Sequence, residues 1–112
     1  MLFVNSFSLN MLQEVPAELY IEQISLEEAR EIIAEELEAL PLSGFKSAIG
    51  HADTAVILSD MLGIHIPFNR ESVTIHPGGE ILVAQYSGPR LNEGTTVLPE
   101  GASIKWMLIS VS

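Results

Sequence analysis

"FKSAIGHADTAVILSDMLG" (residues 45–63) runs from a short apolar stretch, through a break of small residues around His51, into a helical pattern that stops at Gly63. An apolar run followed at once by a longer, nearly continuous apolar segment reads as a strand feeding a helix. "FKSAI" (45–49) is accordingly a brief strand and "DTAVILSDML" (53–62) a helix. Val56, Ile57, Leu58, Met61 and Leu62 cover more than one face of that helix, as expected where a helix packs on a sheet and on something else besides. So many large apolar side chains predict an exposed patch, and with it a homodimer. His51, set between Gly50 and Ala52 at the helix mouth, has two readings. Either its ring caps the helix, or an anion comes to meet it there.

Working outward, "LFV" (2–4) reads as a short buried strand that runs into "NSFSLNML" (5–12), where Ser8 caps a one-turn helix ending before Pro16. "AELYIEQI" (17–24) is a half-buried strand. Ser25 and Glu28 form a capping box for the helix "LEEAREIIAEELEAL" (26–40), which Pro41 closes. Its inward stripe is Leu26, Ala29, Ile33, Leu37 and Leu40. Beyond the central helix, "SVTIH" (72–76) and "EILVAQY" (80–86) flank "PGG" (77–79), which predicts a β-hairpin. "GPRLNEG" (88–94) is a loop or a short helical turn, and "SIKWMLISV" (103–111) a strand paired on both sides. The predicted fold class is α/β: a single domain over residues 1–112, with a mixed sheet of about five strands and flanking helices.

A chain of 112 residues fits one domain, and with 47% apolar residues it can build a packed core. Without cysteine there is no disulfide framework, thiolate chemistry or zinc–thiolate site. The opening "MLFVNSF" lacks a basic n-region, and no apolar run is long enough to span a bilayer. A cytoplasmic protein is expected, in the host cytoplasm if a virus encodes it, with no membrane partner. The net charge of −10 argues against a duplex-DNA binder, which needs a basic face. The charge is unevenly spread. Residues 14–38 hold nine acids with Arg30 as the only base, whereas residues 45–112 hold six acids and four bases. The acidic block reads as a solvated helix face, and an anionic ligand belongs elsewhere.

His51, His65 and His76 lie far apart, and no HExxH, GxSxG, Walker or GxGxxG pattern occurs, so neither metal nor cofactor is expected. Four polar groups remain. Asn5, Ser6, Ser8 and Asn10 follow the first strand, and His51, Asp53 and Thr54 open the central helix. Arg70 precedes the hairpin, while Gln85, Arg90 and Glu93 follow it. Taken singly, each has a dull explanation as a cap or a surface charge. Together they describe an anion site. A helix N-terminus offers free N–H groups, arginine offers a fork for phosphate oxygens, amides and hydroxyls read bases and ribose, and histidine donates a proton near neutral pH.

"NSFSLNML", "SAIGHADTA" and the arginine of "RLNEG" together resemble the viral anti-CRISPR ring nucleases of type III immunity, a family with relatives in proviruses, in mobile elements and beside bacterial CRISPR loci. The resemblance runs in order from residue 2 to about 97. It implies a homodimer that binds cyclic tetra-adenylate across its two-fold axis and cuts it, without metal, into linear di-adenylates. The resemblance puts the catalytic histidine at His51 and the catalytic arginine and glutamate at Arg90 and Glu93. Ligand contacts are expected at Asn5, Ser8, Asn10, Arg70 and Gln85, although "QYSGPR" runs one residue longer than the family pattern. Gly50 and Thr54 at the helix mouth complete the expected binding set. Asp53 stands where some relatives carry a serine; a carboxylate there would repel phosphate, so it is read as a capping or orienting residue. His51 would serve as general acid, Arg90 would neutralise the phosphate, and Glu93 would position Arg90 or the attacking 2′-hydroxyl. The alternative is a dimer that sequesters a cyclic nucleotide without cutting it. A small transcriptional regulator would need a basic groove-reading element that this sequence lacks.

Overall fold

Five strands, the inner ones apolar on both faces, build the sheet: β1 (Leu2–Val4), β2 (Leu19–Ile24), β3 (Lys46–Ala48), β4 (Glu80–Ser87) and β5 (Ser103–Val111). A computed structural model describes all of residues 1–112. The strands form one mixed sheet in the order β2–β5–β4–β1–β3. β1 runs parallel to both β3 and β4, and β5 pairs antiparallel with β2 and β4. Helices α1 (Leu26–Glu38) and α2 (Ala52–Leu62) cover one face, and a single 3-10 turn spans Leu9–Met11. The fold is thus the α/β domain expected from the sequence, with β5 paired on both edges.

The core lies on both sides of the sheet. On the helix face, Phe3 is fully buried and stacks between Phe45 and Trp106, with ring centroids 6.5 and 6.3 Å away. Ala29 and Ile33 of α1 and Ala55, Leu58 and Leu62 of α2 close over these rings. On the other face, Val4, Ile81, Val83 and Ile109 are covered by loop residues, among them Phe7, Met11, Leu12 and Val73.

Local signals set the helix ends. Ser25 Oγ accepts the Glu28 N–H at 3.1 Å, and the Glu28 carboxylate accepts the Ser25 N–H at 3.3 Å, completing the capping box. α1 stops at Glu38, and Leu40, placed in its stripe from the sequence, is 45% exposed beyond the helix end. Gly63 ends α2 in the left-handed conformation (φ 68°), which a side chain would strain. Arg30, alone among the acids, donates from Nε and Nη2 to the Met61 carbonyl at 2.9 and 2.5 Å. Its charge therefore faces the negative end of α2 and ties the helices together.

Two expectations need correction. The hairpin does not form: residues 72–76 make only one bridge, between Ile75 and Leu12. Ile75 donates to the Met11 carbonyl at 2.7 Å, and its own carbonyl accepts from Gln13 at 3.1 Å. β4 is an inner strand, with β1 on one edge and β5 on the other, so no edge is left for the preceding segment. The turn at 77–79 survives and delivers β4 into that slot. The second correction concerns α2. Ile57, Leu58 and Leu62 are buried in the chain's own core, and Val56 alone of the large residues is markedly exposed, at 45%. An interface built on this helix therefore loses its basis.

Candidate functional site

Because β1, β3 and β4 are mutually parallel, their carboxyl ends emerge side by side, the position where open α/β sheets hold ligands. β1 leads into Asn5 and Ser6, β3 into Gly50 and His51, and β4 ends with Gln85 and Tyr86 near its tip. A cavity of about 900 Å³ opens there, lined by these residues together with Ala52, Asp53 and Thr54 of α2, Phe68, Arg70, Gly88, Arg90 and Leu91. A smaller hollow of about 220 Å³ shares Asn5, Ser6, Gly50, His51 and Arg70, so the Gly50–His51 step borders both spaces.

The floor is set by main-chain geometry. His51 occupies the N-cap position of α2 in an extended conformation (φ −129°, ψ 125°), and its carbonyl accepts the Ala55 N–H at 2.9 Å. Its exposed side chain makes no capping hydrogen bond, which removes the capping reading of the ring. The N–H groups of Ala52, Asp53 and Thr54 have no acceptor within the chain, leaving the first turn of α2 open to an anion. Thr54 lines the cavity while only 6% exposed, and its hydroxyl makes no hydrogen bond in the chain. Asn5 braces the neighbouring strand, its Oδ1 accepting the Gly50 N–H at 3.3 Å.

Two arginines form the walls. Residues 68–70 are laced to the end of β3: Phe68 bridges Ile49, the Asn69 N–H donates to the Ile49 carbonyl at 3.0 Å, and Asn69 Nδ2 donates to the Ser47 carbonyl at 2.8 Å. Arg70 is thereby set beside Gly50, where an added Cβ would come within 3.8 Å of its Cγ. Arg90 enters from the loop after β4. Gly88 has φ 149° and lies so close to Ala102 that an added Cβ would approach its Cα to 2.7 Å. The Tyr86 hydroxyl donates to the Pro89 carbonyl, fixing the same loop base. Neither arginine has a carboxylate partner; the ion pairs in the chain are Lys46–Glu71 and the Met1 amine with Glu36. Two arginines against the single carboxylate of Asp53 make this lining cationic within a chain of net charge −10. The contrast is a cavity of about 500 Å³ beside Met1, where Glu35, Glu36 and Glu80 would repel a phosphate.

Of the residues expected from the sequence, Asn5, Gly50, His51, Thr54, Arg70, Gln85 and Arg90 share the main cavity. Ser8, Asn10 and Glu93 do not. Ser8 caps the 3-10 turn by accepting the Asn10 N–H at 3.3 Å, and all three are exposed outside the lining of this single chain. Ser6, Phe68 and Tyr86 line it without having been assigned roles, and Asn69 anchors the segment that carries Arg70. No three His, Cys, Asp or Glu side chains are grouped so as to hold a metal ion.

The family model described as STIV B116-like matches residues 1–102. Over 78 residues the chain is 41% identical to the uncharacterized protein ORF117 of Acidianus two-tailed virus, a match covering 70% of this chain and 62% of that protein. It is 29% identical over 79 residues to the uncharacterized protein 26 of Sulfolobus islandicus filamentous virus (isolate Iceland/Hveragerdi), covering 70% and 60% of the two chains. The matches thus span 62% and 60% of the length of these two relatives. Among solved structures, B116 of Sulfolobus turreted icosahedral virus shares the fold, with a TM-score of 0.82, 24% identity and 97% of each chain covered.

Proposed function

The chain belongs to the STIV B116-like family, and from its cavity and its sequence motifs we propose that it is a metal-independent ring nuclease, opening cyclic tetra-adenylate into linear di-adenylates and so switching off type III CRISPR signalling. One observation carries the reading. An unengaged histidine, two unpaired arginines and an open helix N-terminus converge at one cavity of an otherwise acidic protein.

Each break begins with in-line attack of a ribose 2′-hydroxyl on the adjacent phosphorus, the hydroxyl's proton passing to solvent water. The 3′-oxygen stays bonded, the 5′-oxygen leaves, and His51 delivers the proton that the leaving oxygen needs. The products carry a 5′-hydroxyl and a 2′,3′-cyclic phosphate. Arg90 neutralises the charge that develops on the phosphoryl oxygens, with the first-turn N–H groups of α2 adding fixed donors. Arg70 and Asn5 hold the ring, and Glu93, in the same loop as Arg90, positions Arg90 or the attacking hydroxyl. Two successive breaks at opposite phosphates yield two di-adenylates.

Incubation with cyclic oligoadenylates of different ring sizes in EDTA, followed by identification of the products, tests the reading. Linear di-adenylates are expected from the four-membered ring. Cleavage lost in EDTA and restored by manganese would overturn the metal-free mechanism, and an intact ring retained by the protein would favour sequestration instead.

The active form is a homodimer, because a ring with two-fold symmetry presents equivalent phosphates to equivalent sites. Support lies on the sheet face away from the helices. An open, mainly apolar hollow of about 300 Å³, lined in part by Phe7, Ile21, Val83 and Met107, reaches Gln85 and Lys105 at the edge of the site. Light scattering at micromolar concentration is expected to give twice the chain mass; a fully active monomer would refute the dimer. No helix is long and apolar enough to cross a membrane. With viral relatives, the place of action proposed is the host cytoplasm, and the net charge leaves duplex DNA without a role.

A further inference from the structure

We propose that Phe68 is a stacking platform for a purine base of the bound nucleotide, an assignment that rests on the ring-nuclease reading and extends it from phosphate to base. Three of the chain's aromatic rings, Phe3, Phe45 and Trp106, stack on one another in the core. Phe68 is instead 53% exposed on the wall of the cationic cavity. A single exposed apolar side chain is ordinary on a protein surface. This one differs because its backbone is immobilised, bridged to Ile49 and followed by an asparagine that ties residue 69 to the carbonyls of both Ser47 and Ile49. The ring is presented on a rigid mount two residues before Arg70.

That spacing suits a nucleotide. Arginine grips a phosphate while a neighbouring aromatic face receives a base, and stacking tolerates imperfect register because it needs only overlapping π-faces. Tyr86, the other aromatic residue of the cavity, is half-buried and its hydroxyl is committed to the Pro89 carbonyl, so it serves the loop base. Leu91 and Ala52 add apolar wall but no ring. Phe68 is therefore the residue equipped to distinguish a base from bare phosphate, and a purine, with the larger face, gains most.

The test is single-turnover cleavage and half-saturation of the four-membered adenylate ring by the wild type, Phe68→Ala, Phe68→Leu and Phe68→Trp, with the corresponding uridylate ring as competitor. Phe68→Ala and Phe68→Leu should raise the half-saturation concentration roughly ten- to a hundredfold, as expected on losing a stacked base. The rate at saturation should change little, and the preference for adenylate over uridylate should shrink. Phe68→Trp should restore both. Half-saturation unchanged in Phe68→Ala, or Phe68→Leu behaving as the wild type, would overturn the stacking role while the wild type still cleaved. A wild type that neither bound nor cut the adenylate ring would overturn the ring-nuclease reading itself, and the base assignment with it.

Discussion

His51→Asn should slow cleavage by roughly a hundredfold to ten-thousandfold, the usual range for losing a general acid, while leaving the fold and ligand affinity close to the wild type. The substitution is chosen against the competing role. Asparagine is among the best N-cap residues, so if the position served only to start α2, the variant would be at least as stable and fully active. The histidine ring makes no capping bond, and its carbonyl, which does engage Ala55, is kept by any residue. Gly50 and Ala52 on either side leave room for a phosphate to approach the imidazole. Asparagine cannot deliver a proton to a departing 5′-oxygen. Single-turnover rates at saturating cyclic tetra-adenylate decide the matter, and a fully active His51→Asn protein would leave the mechanism without its acid.

Arg90→Ala should lower the saturated rate by roughly a hundredfold to a thousandfold, the scale seen when a donor to a developing oxyanion is removed, with a smaller loss of affinity. On the proposed mechanism, ground-state grip would be shared with Arg70 and the first-turn N–H groups of α2, which border the same cavity, whereas phosphoryl charge grows only on the way to the transition state. Loop position should not be at issue, since the Gly88–Ala102 approach and the Tyr86–Pro89 hydrogen bond anchor the loop independently of the Arg90 side chain. Arg90→Lys should recover only part of the rate, because an ammonium supplies charge without the planar fork. Measured binding and single-turnover rates separate the two effects. An unchanged rate would remove Arg90 from the chemistry, and a loss confined to affinity would reduce it to a binding contact.

What the sequence revealed about this fold was whatever its neighbours in sequence determine. The Ser25–Glu28 box, the Gly63 stop and the Ser8 cap each depend on residues within a few positions, and each stands where the pattern put it. The failed hairpin depended on a competition invisible in its own residues. Whether 72–76 pairs with 80–86 was settled by β1, some seventy residues earlier in the chain, taking one edge of β4, and by β5 taking the other. Leu40 misled for a similar reason: the periodic pattern continued past the point where the helix ended. At the site, His51 and Thr54 were legible because a strand feeding a helix announces its own N-terminus. Phe68, Asn69 and Tyr86 were not, because their importance comes from parallel strand ends converging in space. Ser8, Asn10 and Glu93, named from similarity to a motif, lie outside the cavity lining of the single chain.

The polarity of the parallel strands also sets two openings of the molecule apart. Glu35, Glu36 and Glu80 line the cavity at the amino ends of β1 and β4, and Arg70 and Arg90 line the one at the carboxyl ends, so the two openings present opposite charge. Along β4, Glu80 of the acidic cavity and Gln85 of the basic one stand five residues apart, about 17 Å along the strand. In physiological salt the field of an exposed charge decays over about 8 Å. The acidic pole and the basic mouth are then almost independent electrical environments, and an approaching polyanion meets the potential of the nearer one. A net charge of −10 thus sets solubility and discourages contact with nucleic-acid surfaces at most orientations, yet raises little barrier at the one opening where the arginines stand.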